Sequence, residues 1–284
     1  MVEEKKIQEL EVIAAKCRKN ILRMLKASGH GHIGGAFSSM EIVSALYFYQ
    51  MKVDPNHPKD PNRDRFLLSA GHKCMVQYAV LAEKGFFKKE VLDTYGQFQT
   101  LIPGHPDMHK LPGIEANTGA LGHGLAIAVG MAKGLKLDQK DNKVYVVIGD
   151  GELAEGSNWE AVAAAAHHGL DNVVAFVDYN GLQISGKVAE VMNFTPIDER
   201  FRAFGWSVKN VDGNNMQEVV EVMQKLPLEK GKPSLVVAHT VKACGLSEGE
   251  GKASYHYWSP SKESLQQAEQ ELDEFISARE EVSV

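Results

Sequence analysis

The chain has 284 residues, 44% hydrophobic and 24% charged, enough to bury a full core as one large domain. A formal charge of −6 and a pI near 6.0 argue against nucleic acid or a membrane surface as partner. No apolar run reaches a membrane span, the opening Met-Val-Glu-Glu-Lys-Lys lacks a signal-peptide core, and three cysteines without metal spacing suit a reducing cytoplasm.

Residues 5–27 carry Ile7, Leu10, Ile13, Ala14, Cys17, Ile21 and Leu25 at helical spacing, with a charged face read as solvated. Ala27 to Gly35 reads as a flexible loop holding His30 and His32. No third ligand stands near this His-x-His pair, which argues against a metal there. Ser38 with Glu41 reads as a capping box opening a helix through Met51. Prolines at 55, 58 and 61 mark a surface loop, Arg65 to Ser69 a short buried strand, and Lys73 to Glu83 a helix. His105 and His109 follow on a Pro-Gly stretch. Asn117 to Gly124 is a glycine-rich entry to a long small-residue helix, suited to cradling an anion or to close helix packing. Five of the 11 histidines (His30, His32, His72, His105 and His123) directly follow a glycine. Chance predicts about one. Imidazoles on such loops can meet a ligand and shuttle protons.

Val144 to Ile148 is a β-branched apolar run, a buried parallel strand that ends at Gly149-Asp150-Gly151. Ser157 with Glu160 reads as a capping box for a helix through His168. A second strand, Val173 to Val177, leads to Asp178-Tyr179-Asn180-Gly181. Oxygen ligands thus stand at the carboxyl ends of two strands, where open α/β sheets bind ligands. Mg2+ takes one or two carboxylates with further oxygens from carbonyls, phosphates and water. Either turn alone is ordinary turn chemistry. Asp150 and Asn180 together, thirty residues apart, point to a metal and a diphosphate. Downstream, Pro196 stands at the first position of a short helix, and strands Trp206–Val211 and Ser234–His239 flank a helix from Asn214 to Leu226. A polar loop with Ser254-Tyr255-His256-Tyr257 precedes a charged helix over 261–280. The alternation predicts an α/β fold, a doubly wound, mostly parallel sheet with helices on both faces. It is read as a single domain over 1–284, with helices 5–27 and 261–280 as extensions and the strand order open.

Gly-Asp-Gly followed about thirty residues later by Asn resembles the thiamine diphosphate signature, and Gly149 to Gly156 with Asp178 to Gly186 resemble the transketolase branch. The resemblance implies that Asp150, Asn180 and the carbonyl of Leu182 hold Mg2+. It implies that Gly151 lies against the diphosphate and that Ile184 packs on the thiazolium. Gly31 to Gly35, Arg63 to His72 and Pro103 to Pro106 match three loops whose histidines are His32, His72 and His105, and His256 fits the late histidine. In the family these surround the sugar and handle protons on its hydroxyls. Thr118 to Gly122 is similar to the loop whose backbone meets the cofactor ring, which implies roles for Gly119 and Leu121. Glu155 and Glu160 match carboxylates at the contact between cofactor-binding domains, the implied route of self-association.

The chain departs from the family at His30 (usually Ser), Lys73 (commonly Gly), Ala243 and Tyr257 (both usually Gly). Its length matches only the first domain of a transketolase, so it resembles the N-terminal subunit of a split enzyme. The implied partner is a C-terminal subunit with the pyrimidine-binding domain and the activating glutamate, most simply in a tetramer of two copies each. The implied reaction moves a two-carbon ketol unit between sugar phosphates. Decarboxylating relatives, a 2-oxo acid dehydrogenase or a deoxyxylulose phosphate synthase, share the cofactor, but pyruvate has no hydroxyls for the histidines. A non-catalytic homologue is the third reading, and the intact Asp150 and Asn180 argue against it.

Overall fold

A computed structural model of the chain describes residues 3–282. In chain order the helices are α1 (Glu4–Ser28), α2 (Ile33–Ser38), α3 (Met40–Ala45), α4 (Cys74–Lys84), α5 (His123–Leu137), α6 (Gly156–His167), α7 (Val188–Val191), α8 (Ile197–Ala203), α9 (Met216–Met223) and α10 (Lys262–Val282). The strands are β1 (Arg65–Leu68), β2 (Val144–Gly149), β3 (Val173–Tyr179), β4 (Leu182–Gln183), β5 (Gly186–Lys187), β6 (Ser207–Asp212) and β7 (Ser234–His239). β1, β2, β3, β7 and β6 lie in that order in one parallel sheet, and β4–β5 is a small separate hairpin. The doubly wound expectation holds, and the sheet order is now fixed.

The β-branched runs are fully buried because helices cover both faces. The two-residue period of a strand divides their side chains. Tyr145, Val147, Val174 and Phe176 join a core with α1, α3, α4 and α9, whereas Val146, Ile148, Ala175 and Val177 join one with α5, α6 and α8. No described helix is long and apolar enough to cross a membrane.

Several local expectations are corrected, each by a long-range partner. Helix begins at Ile33 rather than Ser38, so much of the supposed flexible loop is helical. Ser38 ends α2 and donates its hydroxyl to Asp178, while Glu41 accepts from Arg18 and Asn214. Ser157 is not a cap either: Glu155 holds that place in α6, and the Ser157 hydroxyl donates to the Gly122 carbonyl at 2.9 Å. Pro196 is the residue before α8 rather than its first. α9 is shorter than forecast, because Asn214 bonds Ser38, Glu41 and Val241 and leaves Asn215 to cap the helix at Glu218. The glycine-rich entry stays irregular until His123.

The charged face of α1 is not merely solvated. Arg18 is buried, pairs with Glu41 at 2.7 Å, and donates to the carbonyls of Phe37 and Cys244. Lys16–Glu280 and Arg279–Glu11 join α1 to α10. Removing one member of a buried pair strands the other charge. Arg18→Met is therefore expected to cost about 3–5 kcal/mol in urea unfolding, with most of it recovered in Arg18→Met/Glu41→Leu. An undiminished midpoint in the single variant contradicts this.

Candidate functional site

Parallel strands deliver their carboxyl ends to one edge of the sheet, and four neighbours, β1, β2, β3 and β7, each end in a polar word there. After β1 come His72 and Lys73, after β2 Asp150 and Gly151, at the end of β3 Asp178 and Asn180, and after β7 Thr240 and Lys242. A cavity of about 330 Å3 opens among them. It is lined by His32, His72, His256, Gly119, Leu121, Asp150, Gly151, Asn180, Leu182 and Ile184. Glu155 lies outside, exposed at the start of α6. His105 is also absent from the lining, but its ring rests on the Gly119 backbone, where a Cβ would come within 2.4 Å of its Cδ2. Gly119 has φ 139°, so a side chain there is excluded twice.

Asp150 is buried and accepts from Gly181 N at 2.6 Å and Gly151 N at 2.8 Å, which lashes the two turns together. Burial, and then the neighbouring Asp178, push its carboxyl up to about 6. Asn180 Oδ1 accepts from Leu182 N at 3.1 Å, and the Leu182 carbonyl accepts from Lys242 Nζ at 3.0 Å. This trio is one carboxylate plus two neutral oxygens, each retaining an unused lone pair. It fits a hard cation that takes its remaining ligands from phosphate and water. Ile184 tips the β4–β5 hairpin and is 74% exposed.

Sequence reading missed the residues that support this trio. Asp178 is fully buried and accepts from Lys73 Nζ and Thr240 Oγ1 at 2.5 Å and from Ser38 Oγ at 2.7 Å. Burial alone would raise its carboxyl; Lys73 and the two hydroxyls reverse that and hold it below the usual range. Glu152, also buried, accepts from Ser69 Oγ, Gly122 N and Gly149 N, and so braces the glycine-rich loop against β2. Lys242 ends in the cavity, where burial and then Lys73 lower its ammonium to about 8. The one sequence signal for these groups was position just past a strand end.

His32, His72 and His256 form a triangle with ring centroids 5.3–5.5 Å apart. The late loop reaches the first because Gly31 and Trp258 exchange two backbone hydrogen bonds. The departures His30 and Tyr257 meet there too, with the Tyr257 hydroxyl on His30 Nδ1. Burial, and then Lys73, lower His72 to about 2, while burial and Lys242 lower His256 to about 3. His32 is lowered as well, by burial and then His105. These imidazoles are neutral at physiological pH, and each has one donor and one acceptor nitrogen. His109 and His123 are exposed and take no part.

Residues 11–274 match the family described as transketolase, thiamine diphosphate binding domain. The chain is 42% identical to one of the subunits of the apulose-4-phosphate transketolase of Phocaeicola vulgatus, covering 96% of this chain and 97% of that protein. It is 42% identical to 6-deoxy-6-sulfo-D-fructose transketolase subunit SqwG of a Clostridium species, covering 93% and 96%. Among solved structures, the transketolase of Campylobacter jejuni superposes with a TM-score of 0.86 at 32% identity. That match covers 96% of this chain and 43% of the solved one, so the chain spans less than half the length of that relative.

The histidine triangle makes stability depend on pH. The folded chain holds His72 near about 2 and His256 near about 3, against 6.5 for a free imidazole. The His72 contribution is complete above pH 6.5 and is lost as pH falls, by up to about 1.4 kcal/mol per pH unit; the half-buried His256 acts in the same direction but by less, because solvent screens it. Asp150 works the other way between 6 and 3.8, so a comparison with His72→Gln isolates the histidine. In urea melts from about pH 7.5 to 4.5, the variant is expected to lose less stability than the wild type. Parallel curves contradict the assignment.

Proposed function

The chain belongs to the transketolase family, with the thiamine diphosphate-binding domain of that family, and from that premise we propose that it is the cofactor- and metal-holding subunit of a two-chain transketolase. The observation that carries this reading is the convergence of Asp150, Asn180 and the Leu182 carbonyl on a cavity rimmed by neutral histidines. In support, the relatives of matching length are named as subunits.

Asp150, Asn180 and the Leu182 carbonyl would hold Mg2+, with Gly151 and Lys242 against the diphosphate. Thiamine diphosphate, when bound, supplies the electron sink that lets a ketose C–C bond break and re-form. The protein's share is placement and proton handling. His32, His72 and His256 can each donate to one sugar oxygen and accept from another without carrying charge. His105, above Gly119, would extend that row. Gly119, Leu121 and Ile184 give the cavity its apolar side, which suits a ring and would keep water out once covered. Ile184 needs a cover, and we assign that cover, with the activating glutamate, to a companion chain. Glu155 and Glu160 are exposed at the start of α6, and we assign them to a contact between two copies. The substrates fit a ketose phosphate donor and an aldose phosphate acceptor, whose hydroxyls match the histidine rim better than a 2-oxo acid does.

The test is a coupled ketol-transfer assay with Mg2+ and thiamine diphosphate. No turnover is expected from this chain alone, and turnover is expected once the companion is added. Asp150→Ala in the same mixture should lower activity by at least about 10²-fold, as loss of the one carboxylate ligand implies. Full activity of the single chain overturns the two-chain reading.

A further inference from the structure

Lys73 stands in the cavity, directly after His72. Its stem runs over Gly35, where a Cβ would come within 2.6 Å of Lys73 Cε, so the side chain is clamped in place. Its ammonium lies 2.5 Å from Asp178, with the side chain 5% exposed. The Nζ stands 3.5 Å from where a Cβ on Gly149 would be, directly over the Gly149-Asp150-Gly151 turn. Asp178 is the only hydrogen-bond acceptor that the Lys73 ammonium has among the described residues. An ammonium has three donors. Asp178 is meanwhile served by two hydroxyls, Ser38 and Thr240, whatever Lys73 does.

We propose that Lys73 is a resident cation of the diphosphate site, pairing with Asp178 when the site is empty and donating to the diphosphate when it is filled. The inference rests on the reading of the cavity as a thiamine diphosphate site. Two carboxylates, Asp150 and Asp178, are buried side by side and would repel a polyanion. The cations of Lys73 and Lys242 offset them before any divalent ion arrives, and the third buried carboxylate at the cavity, Glu152, is held by Ser69 Oγ and the backbone N–H groups of Gly122 and Gly149. A diphosphate then meets two ammonium groups even without metal. The consequence is a cofactor site with a reduced requirement for divalent cation. An ion pair kept only for stability has no such consequence.

The experiment titrates inorganic diphosphate into the full chain by calorimetry, in EDTA and then in saturating Mg2+. The variants are Asp178→Asn and the charge-matched Lys73→Met/Asp178→Asn. In EDTA the wild type should bind at least about tenfold more tightly than the double variant, the scale of one charge-assisted hydrogen bond. Asp178→Asn alone, which frees Lys73 from its carboxylate, should bind more tightly than the wild type by about the same factor. In Mg2+ the three proteins should converge. Equal binding in EDTA by the wild type and the double variant overturns the proposal, as does failure of the wild type to bind diphosphate without metal. If the double variant does not fold, the gain in Asp178→Asn still decides: its absence overturns the proposal. A wild type that binds thiamine diphosphate with Mg2+ in the assembled enzyme, yet fails these tests, loses only the Lys73 inference. A wild type that does not bind the cofactor there loses the functional reading as well.

Discussion

The site depends on one buried carboxylate. Asp178 closes β3 and collects donors from three other parts of the chain: Ser38 at the end of α2, Lys73 after β1 and Thr240 after β7. A carboxylate in a low-dielectric interior is tolerated only when its lone pairs are filled and its charge is matched. Here both conditions are met, and one of the donors, Lys73, also lines the cavity. Satisfying Asp178 therefore fixes where the neighbouring Asn180 and Asp150 turns can lie, and the Asp150 contact with Gly181 N completes the lock. Gly35, in the first turn of α2, serves the same demand: without a side chain it lets the helix approach the Lys73 stem while Ser38 and Lys73 share Asp178 Oδ2.

Much of this was legible in the sequence, and the limits were physical. The sheet was readable because β2 and β3 are buried on both faces and so consist of unbroken apolar runs. The Asp150 and Asn180 words were readable because each follows such a run directly. The helix starts at Ser38 and Ser157 were misplaced because capping is a local bid that a better distant acceptor can win. Ser38 found Asp178 and Ser157 found the Gly122 carbonyl, and neither partner is visible from spacing. Lys73 and Lys242 were invisible as site residues for a related reason. A lysine after a strand is ordinarily a solvated surface group, and only the parallel order β1-β2-β3-β7 brings these two to the same cavity. The preference of histidine for glycine loops led to His32 and His72, which line the cavity, and to His105, which rests on Gly119 outside the lining, but also to the exposed His30 and His123. His256, which follows a tyrosine, was placed by resemblance alone.

The charge pattern divides the labour of the site. At the proposed metal and diphosphate end, Asp150, Lys73 and Lys242 line the cavity, and Asp178, outside the lining, pairs with Lys73. The proposed sugar end is built from imidazoles that burial keeps uncharged, which suits reversible exchange of protons with hydroxyls. The apolar side between them is unfinished, with Ile184 standing 74% exposed on a two-residue hairpin. A chain that pre-forms the anion end and leaves the ring end open is suited to complete its site with another surface.

That division leads to the most direct measurement. Calorimetric titrations of the chain alone, in Mg2+, should compare thiamine diphosphate with inorganic diphosphate. If this chain grips the cofactor by its diphosphate, the two affinities should lie within about tenfold, or about 1.4 kcal/mol. Binding of thiamine diphosphate more than about 10³-fold tighter than diphosphate, roughly 4 kcal/mol from the ring system, would contradict the account.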